Sequence, residues 1–482
     1  MNVALRARVL CLLLEAGFVL GPGACAVRPS LPDFAAADAQ IAADLAEVPQ
    51  DLFFFADKAD LLSPPPLLSP RRQSEIAAGA IVRFFSPWSE KTPPPPSSDA
   101  QGLSAGSLPA TLRFLLELNP ERMFAENLRP LPLQSWEALL RNCAFSAYTG
   151  RSLPGISVRA CDLRLLPTRR PCFLDPGRPG QGYPFDYLQN SSLPIGSPLR
   201  IFHLSQDGAW AWVESPSASG WAELDALALV DERFTLDWRS LPMAVITSEN
   251  TALRARPQEP LSLEEGMTPP RFASIGTILP YAGGGENPGE ALTLLFPEKK
   301  SDGYARPRRA SLPSSSASLW PLPLTRRSLA ALAGQMLGQP YGWGGYGGNR
   351  DCSSSLRDLF LPFGVWLPRN SVAQAALGRK LSLSGLTAEQ KEALILEEAG
   401  PFLSLLGRPG HIALYVGEHA GRAVIFHNIW GLRIQGPDSA TSGRAVIGKA
   451  VLTTLSPGRE RRDLLNSLLD TLDSLSFPLQ EE

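Results

Sequence analysis

The chain has 482 residues, with 45 Lys+Arg against 47 Asp+Glu and a formal net charge of −2. That balance leaves no basic excess to grip nucleic acid, and 44 % hydrophobic residues are enough to build buried cores rather than a disordered polymer. The length corresponds to about three domains. The 46 prolines favour turns and extended segments over a helical bundle, and six cysteines without a CxxC pair form neither a disulfide scaffold nor a zinc site.

Residues 1–26 read as a secretory signal. Arg6 and Arg8 precede an apolar stretch at 9–14 and 16–20, Gly21-Pro22-Gly23 break it, and Ala24 and Ala26 frame a small-residue cleavage site. The stretch is too short and too interrupted for a transmembrane helix. Cys25 stands where a lipoprotein cysteine would be acylated, but Pro22 occupies the place of the usual lipobox Leu, so cleavage after Ala26 is the expectation. Membrane association then arises only if Cys25 is lipidated. Export would place the other cysteines in an oxidising compartment. Cys161 and Cys172 are near enough to bridge, with Cys143 as a competitor; three small buried thiols are the alternative.

Residues 27–154 form a mixed, mainly helical segment, with helical patterns at 36–48, 108–118 and 133–141 and a stiff proline-rich loop at 92–98. Phe84, Phe85, Pro87 and Trp88 form a cluster suited to packing on a neighbouring domain. From 155 the pattern changes to short β runs split by Gly, Pro, Asp and Ser, which suggests two small β-barrels at 155–235 and 236–298. Strand alternation sends Trp210 and Trp212 to one face. At least two of Trp210, Trp212 and Trp221 are expected in a barrel core, and His203 is expected as a strand residue.

Residues 299–321, rich in Pro, Ser and Arg, read as a flexible linker. From 322 to 482 the pattern turns to mixed helix and strand. Helices are expected at 328–337 and 353–363, the second stopped by Gly364, then strands at 411–416 and 423–427 and an amphipathic terminal helix at 459–475.

Chemistry concentrates in this last third. Cys352 begins a helix, where the positive end of the dipole favours thiolate. Three of the four histidines, His411, His419 and His427, fall within seventeen residues. A hairpin turning near His419 would set His427 beside His411, supplying a base and its orienting group for the thiol. His419 itself is expected at a solvated turn tip. No acidic or Cys ligand has a recognisable spacing to the histidines, so neither metal nor cofactor is expected.

The motifs Pro340-Tyr-Gly-Trp-Gly-Gly, Asp351-Cys-Ser-Ser, Leu367-Pro-Arg-Asn-Ser-Val-Ala-Gln, Pro409-Gly-His-Ile-Ala-Leu-Tyr-Val-Gly and His427-Asn-Ile-Trp-Gly resemble, in order, those of the NlpC/P60 family. These are papain-like cysteine peptidases of bacterial cell-wall peptides. Asp207-Gly-Ala-Trp-Ala-Trp-Val-Glu and Gly220-Trp221 resemble bacterial SH3 domains. The layout is similar to the multidomain branch of the family, an α+β arrangement of a helical N-terminal domain, two SH3-like barrels and a C-terminal peptidase.

The resemblance implies Cys352 as nucleophile, His411 as base and His427 as third member. It implies Tyr341 lining the pocket, and Asp351 and Ser353 contacting a substrate amine. Asn370 stands where relatives that trim free wall peptides carry Asp, and Ser354 where the family often has Gly. The implied activity is hydrolysis of γ-D-glutamyl–diamino-acid amides in peptidoglycan or its released peptides, in the periplasm or cell envelope, by a monomer. Two other readings stay open at this point. One is a wall-binding SH3-domain protein with a relic peptidase domain; the other is a papain-like acyl transferase or deamidase.

Overall fold

The computed structural model describes residues 45–57, 66–89, 122–149, 151–255, 270–285, 289–436 and 442–480. The expected signal at 1–26 with Cys25, the helix at 108–118, the proline tract at 92–98 and most of the helix at 36–48 lie outside the described residues.

The N-terminal helices α1 (Leu52–Asp57), α2 (Pro70–Phe84) and α3 (Leu133–Asn142) are clamps rather than a free-standing bundle. Ser69 caps α2 by accepting from the Arg72 N–H, and Pro70 opens it, where the missing N–H costs nothing. Buried Gln73 donates to the carbonyls of Leu322 and Phe363 at 2.6 and 3.0 Å and accepts from the Leu324 N–H at 3.2 Å. At the far end of α2, Phe84, Phe85 and Trp88 enter a core with Ile156, Phe234 and Trp238, and the Trp88 indole donates to the Gly155 carbonyl at 2.8 Å. The aromatic cluster therefore packs on its neighbours as its composition implied.

The first barrel comprises β1 (Leu153–Ser157), β2 (Cys161–Arg164), β3 (Gln189–Leu193), β4 (Pro198–Leu204), β5 (Trp210–Glu214), β6 (Ser219–Glu223) and β7 (Leu227–Leu229), in sheet order β3-β2-β6-β5-β4-β1-β7. Trp212 lies opposite Trp221, and all three barrel tryptophans are buried with Trp136 of α3. None is left as a surface for wall polymer. Cys143, Cys161 and Cys172 are free and buried. Cys161 packs with Leu163 and Val213, whereas Cys172 packs with the tryptophans, so the barrel wall separates the two thiols and no bridge forms. His203 is a strand residue, its Nε2 2.9 Å from the Cys143 carbonyl.

After α4 (Glu232–Ser240) comes a second β unit. It contains β8 (Met243–Ile246), β9 (Thr251–Leu253), β10 (Arg271–Ala273), β11 (Ile278–Gly284), β12 (Leu292–Lys299), β13 (Ala305–Leu312) and β14 (Ala317–Leu319). The five-stranded sheet runs β13-β12-β11-β8-β14, with β10-β9 apart. This corrects the expected linker at 299–321, because β13 pairs with all of β12 and β14 pairs with β8. Arg308, Ala310 and Leu312 alternate inward along β13. Pro307 is tolerated because β13 is an edge strand that needs no N–H on its open side. Composition misled here, and the period-two pattern within it was the truer signal.

The C-terminal unit packs α5 (Arg326–Met336) and α6 (Cys352–Phe360) on one face of a six-stranded sheet. The other helices are α7 (Ser371–Ala375), α8 (Ala388–Glu398) and α9 (Leu468–Thr471). The strands are β15 (Arg379–Ser382), β16 (Leu405–Arg408), β17 (His411–His419), β18 (Arg422–Gln435), β19 (Ser442–Thr454) and β20 (Ser474–Phe477), in order β15-β20-β16-β17-β18-β19. Ile412, Leu414, Val416, Val424 and Phe426 face α5 and α6, while Ala413, Tyr415, Ile425 and Val451 face α8 and α9. Each large side chain so buried contributes roughly 1.5–3 kcal/mol.

The expected helix at 459–475 is also corrected. Only residues 468–471 are helical, and residues 474–477 form a fully buried strand between β15 and β16. The leucine spacing over 464–475 imitates a helical stripe, but a single helical turn and a strand share it against one core.

A linker at 299–321 would be open to protease. The observed strands predict instead that trypsin leaves the native protein uncut after Arg308 and Arg309; rapid cleavage there, read by mass spectrometry, would contradict the pairing of β12 with β13.

Candidate active site

The site is assembled around the first turn of α6. Asp351 caps the helix in a capping box: its Oδ1 accepts from the Ser354 N–H at 2.8 Å, and Ser354 Oγ accepts from the Asp351 N–H at 2.9 Å. Ser354 thus closes the box. The same carboxylate accepts from the Gly344 N–H at 3.1 Å and from Arg369 Nη2 and Nη1 at 2.7 and 3.2 Å. Ser353 Oγ donates to Asp351 at 3.1 Å and accepts from Arg369 at 3.0 Å. Arg369 also reaches Ser191 Oγ of the first barrel at 2.9 Å. Arg369 went unread in the sequence, although Leu367-Pro-Arg lay inside a motif already singled out.

Cys352 follows directly as the first residue of α6. It is buried against the start of β17, with the Ile412 backbone amide directed at its sulfur. Leu414 lies opposite Phe426 across β17 and β18, which makes His411 and His427 diagonal neighbours. Their rings meet with His411 Nε2 2.9 Å from His427 Nδ1, and His427 Nε2 stands 3.1 Å from Thr453 Oγ1 on β19. The Thr453 hydroxyl donates its one proton to the Thr454 carbonyl at 2.7 Å. Its oxygen therefore accepts from His427 Nε2–H, which makes His427 Nδ1 an acceptor. His411 Nε2 must then be the donor, and Nδ1 of His411 carries the free lone pair. Thr453 was not foreseen. His419, expected at a solvated tip, lies edge-on to Phe54 with centroids 5.5 Å apart.

The electrostatics oppose the thiolate that the helix dipole suggested. Burial, and then the Asp351 charge, push the Cys352 thiol up to about 12. Burial pushes His427 down to about 3 and holds His411 well below the ordinary histidine value, the charge of Arg408 adding to both. Burial alone would raise Asp351, but the charge and hydrogen bonds of Arg369 hold it at about 2. At rest the thiol and both imidazoles are neutral and the carboxylate is paired.

Tyr341 is buried near Cys352 and contacts Phe185 and Trp430 at centroid distances of 6.2 Å. Tyr183 of the first barrel, largely exposed, stands edge-on to Tyr346 and Trp430, so the barrel forms one wall of the cleft. Asn370 is exposed, and its Oδ1 caps α7 by accepting from the Ala373 N–H at 2.8 Å. Buried Gln374 fixes the intervening loop through the Ser353 and Pro368 carbonyls, both at 2.8 Å.

The fold and this site define a multidomain α+β protein with a barrel set against a helix-on-sheet unit. Three family models match it. They are the NlpC/P60 family over residues 338–429, the N-terminal NLPC_P60 stabilising domain over 9–148, and an SH3 domain of the SH3b1 type over 171–223. Residues 338–429 thus form a domain that matches the NlpC/P60 family, preceded by a match to that family's N-terminal stabilising domain and to an SH3 domain. Two curated relatives from Corynebacterium glutamicum, each named a probable endopeptidase, are 30 % identical over 107 residues (strain R) and 29 % over 110 residues (a second strain). The matches cover 22 % and 23 % of this chain and 46 % and 47 % of the relatives, so the chain spans about half the length of the curated relatives it matches. A solved structure described as a novel NlpC/P60 endopeptidase from Photobacterium damselae subsp. piscicida is similar in fold, with a TM-score of 0.77 at 24 % identity over 90 % of this chain and 98 % of that one.

Asp351→Asn strands the Arg369 guanidinium without its counter-charge, and destabilisation of ~3–5 kcal/mol is expected, read as a lower denaturant midpoint. The histidines set a pH window. Between about pH 6.5 and about pH 3 the unfolded chain takes up protons that folded His427 refuses, so stability falls as pH falls through that range. His427→Gln should flatten the decline of melting temperature between pH 6.5 and 4; an unchanged slope would contradict a buried neutral His427.

Proposed function

We propose that this chain is a cysteine peptidase of peptidoglycan stem peptides, cutting the amide between γ-D-glutamate and a diamino acid, with Cys352 as nucleophile, His411 as base and His427 as the orienting third member. The observation that carries this reading is the buried His411–His427–Thr453 relay, which leaves His411 Nδ1 as a proton acceptor in a site that also holds a helix-starting cysteine. The names of the relatives support the endopeptidase class, and the expected signal supports work in the cell envelope.

Burial keeps the thiol protonated and the imidazole neutral, so proton transfer to His411 accompanies attack on the carbonyl instead of preceding it. The oxyanion is stabilised by the Cys352 N–H, which as the first of α6 has no intrahelical carbonyl to meet. The imidazolium, steadied by its hydrogen bond to His427, then protonates the departing amine. Water cleaves the thioester with His411 again as base.

The residues expected to hold a free substrate amine are otherwise engaged. Asp351 is neutralised by Arg369, Ser353 is tied into the same network, and Asn370 carries no charge and caps α7. These ties favour stem peptides whose N-terminus is amide-linked, as in intact wall, over free peptides.

Mass spectrometry of wall-derived tripeptides and tetrapeptides, free and glycan-linked, tests both parts. Cleavage between D-glutamate and the diamino acid is expected, faster on the linked form and abolished in Cys352→Ala. His427→Ala should lower turnover roughly 10³- to 10⁴-fold, as loss of an orienting triad member does elsewhere. Cleavage that survives Cys352→Ala would refute the nucleophile, and faster cleavage of the free peptide would refute the preference. The acid limb of kcat/KM should fall below the ordinary histidine value, since His411 stays neutral as pH drops through it.

A further inference from the structure

The charged groups around the cleft are unequally matched. Arg164, Arg350, Arg357 and Arg369 are each withdrawn from water and each bonded to a carboxylate. Arg408 and Arg444 are partly withdrawn from water, and neither has a carboxylate partner among the described residues. Arg408 ends β16 directly opposite His411, so the two side chains leave the same face of the sheet. Its Nη1 donates to Thr471 Oγ1 at 3.0 Å, while its buried Nε has no partner.

Arg444 lies on β19, four residues before Gly448, whose carbonyl receives the Tyr341 N–H at 2.9 Å. A loop of the first barrel roofs it. Gly180, at φ 75°, sits so close that a Cβ there would stand 3.1 Å from the Arg444 Nε. The neighbour opposite Arg444 is another cation, Arg433, so the strand pair supplies repulsion rather than neutralisation. Two guanidiniums beside the histidine and tyrosine of the cleft, short of counter-charge, are suited to an anionic ligand with planar, paired oxygens.

Building on the peptidase reading, we infer that Arg444 and Arg408 form a subsite for a substrate carboxylate flanking the scissile amide. A γ-linked glutamyl donor carries a free α-carboxylate on the acyl side, and diaminopimelate carries one on the leaving side. Both present the same chemistry to a guanidinium. The subsite selects stem peptides that keep this carboxylate over those in which it is amidated or missing.

Two pairs of N-acylated synthetic peptides separate the sources. One pair differs only in D-glutamate α-carboxylate against α-carboxamide; the other differs only in diaminopimelate against lysine. Cleavage is measured by kcat/KM with the parent enzyme and with Arg444→Gln, Arg408→Gln and Arg433→Gln. Binding is measured by calorimetry on the same set in a Cys352→Ala background. The parent should prefer the carboxylate form of one pair by roughly tenfold to 100-fold. That ratio should collapse toward one in Arg444→Gln, shrink in Arg408→Gln and persist in Arg433→Gln. Discrimination confined to the first pair assigns the acyl side, and to the second the leaving side. Equal binding within both pairs, a ratio that survives Arg444→Gln, or no binding of any peptide overturns the subsite. A parent enzyme that binds with this preference but cleaves nothing overturns the peptidase reading and leaves the subsite standing.

Discussion

The Asp351 carboxylate has almost no water around it, and three separate parts of the chain meet on its two oxygens. It terminates the backbone of α6, receives an amide from the glycine-rich segment at 344, binds Ser353 and closes on Arg369, which in turn reaches the first barrel. A buried carboxylate is tolerable only when its charge is met, and the bidentate guanidinium meets it. The position of Cys352 follows from this arrangement, because the sulfur projects from the residue after the cap. The barrel wall follows too, since Ser191 is fixed by the guanidinium that fixes Asp351.

The opposite wall of the site is held by the sheet. A diagonal pair on adjacent antiparallel strands brings the two imidazoles within one hydrogen bond, and a threonine on the third strand decides their protons. Burial does the rest: it makes charge expensive on the thiol and on both imidazoles, so the site rests uncharged at its reacting atoms. On the proposed peptidase reading, charge would be created only when substrate carbonyl, sulfur and imidazole come together, in a setting of oriented amides where it is best stabilised.

Much of this was legible in the residue order. The mixed helix-and-strand character, the helix that begins at Cys352 and the strands bearing His411 and His427 follow from local pattern; the barrel tryptophans are buried as expected, but against α3 and not in the barrel core. The neighbourhood of the two histidines followed from hairpin geometry alone. What escaped had physical causes. The 305–312 strand was hidden under linker-like composition, and the 474–477 strand under leucines at helical spacing. Arg369 and Thr453 act through partners distant in sequence, and no periodicity announces such pairs. The thiol itself was misjudged because a helix dipole can be read from sequence whereas desolvation cannot.

The strand at 474–477 lies between residues 379–382 and 405–408, in the interior of the sheet that presents His411. A chain emerging from its N-terminus has made Cys352, His411 and His427 well before it makes this strand. Until residue 477 is available, β15 and β16 have a gap between them, and the edge of β16 that should be covered is open. The order of synthesis thus delays completion of the sheet behind the histidines until nearly all of the described chain exists, which couples the appearance of the finished cleft to the end of folding and not to its beginning.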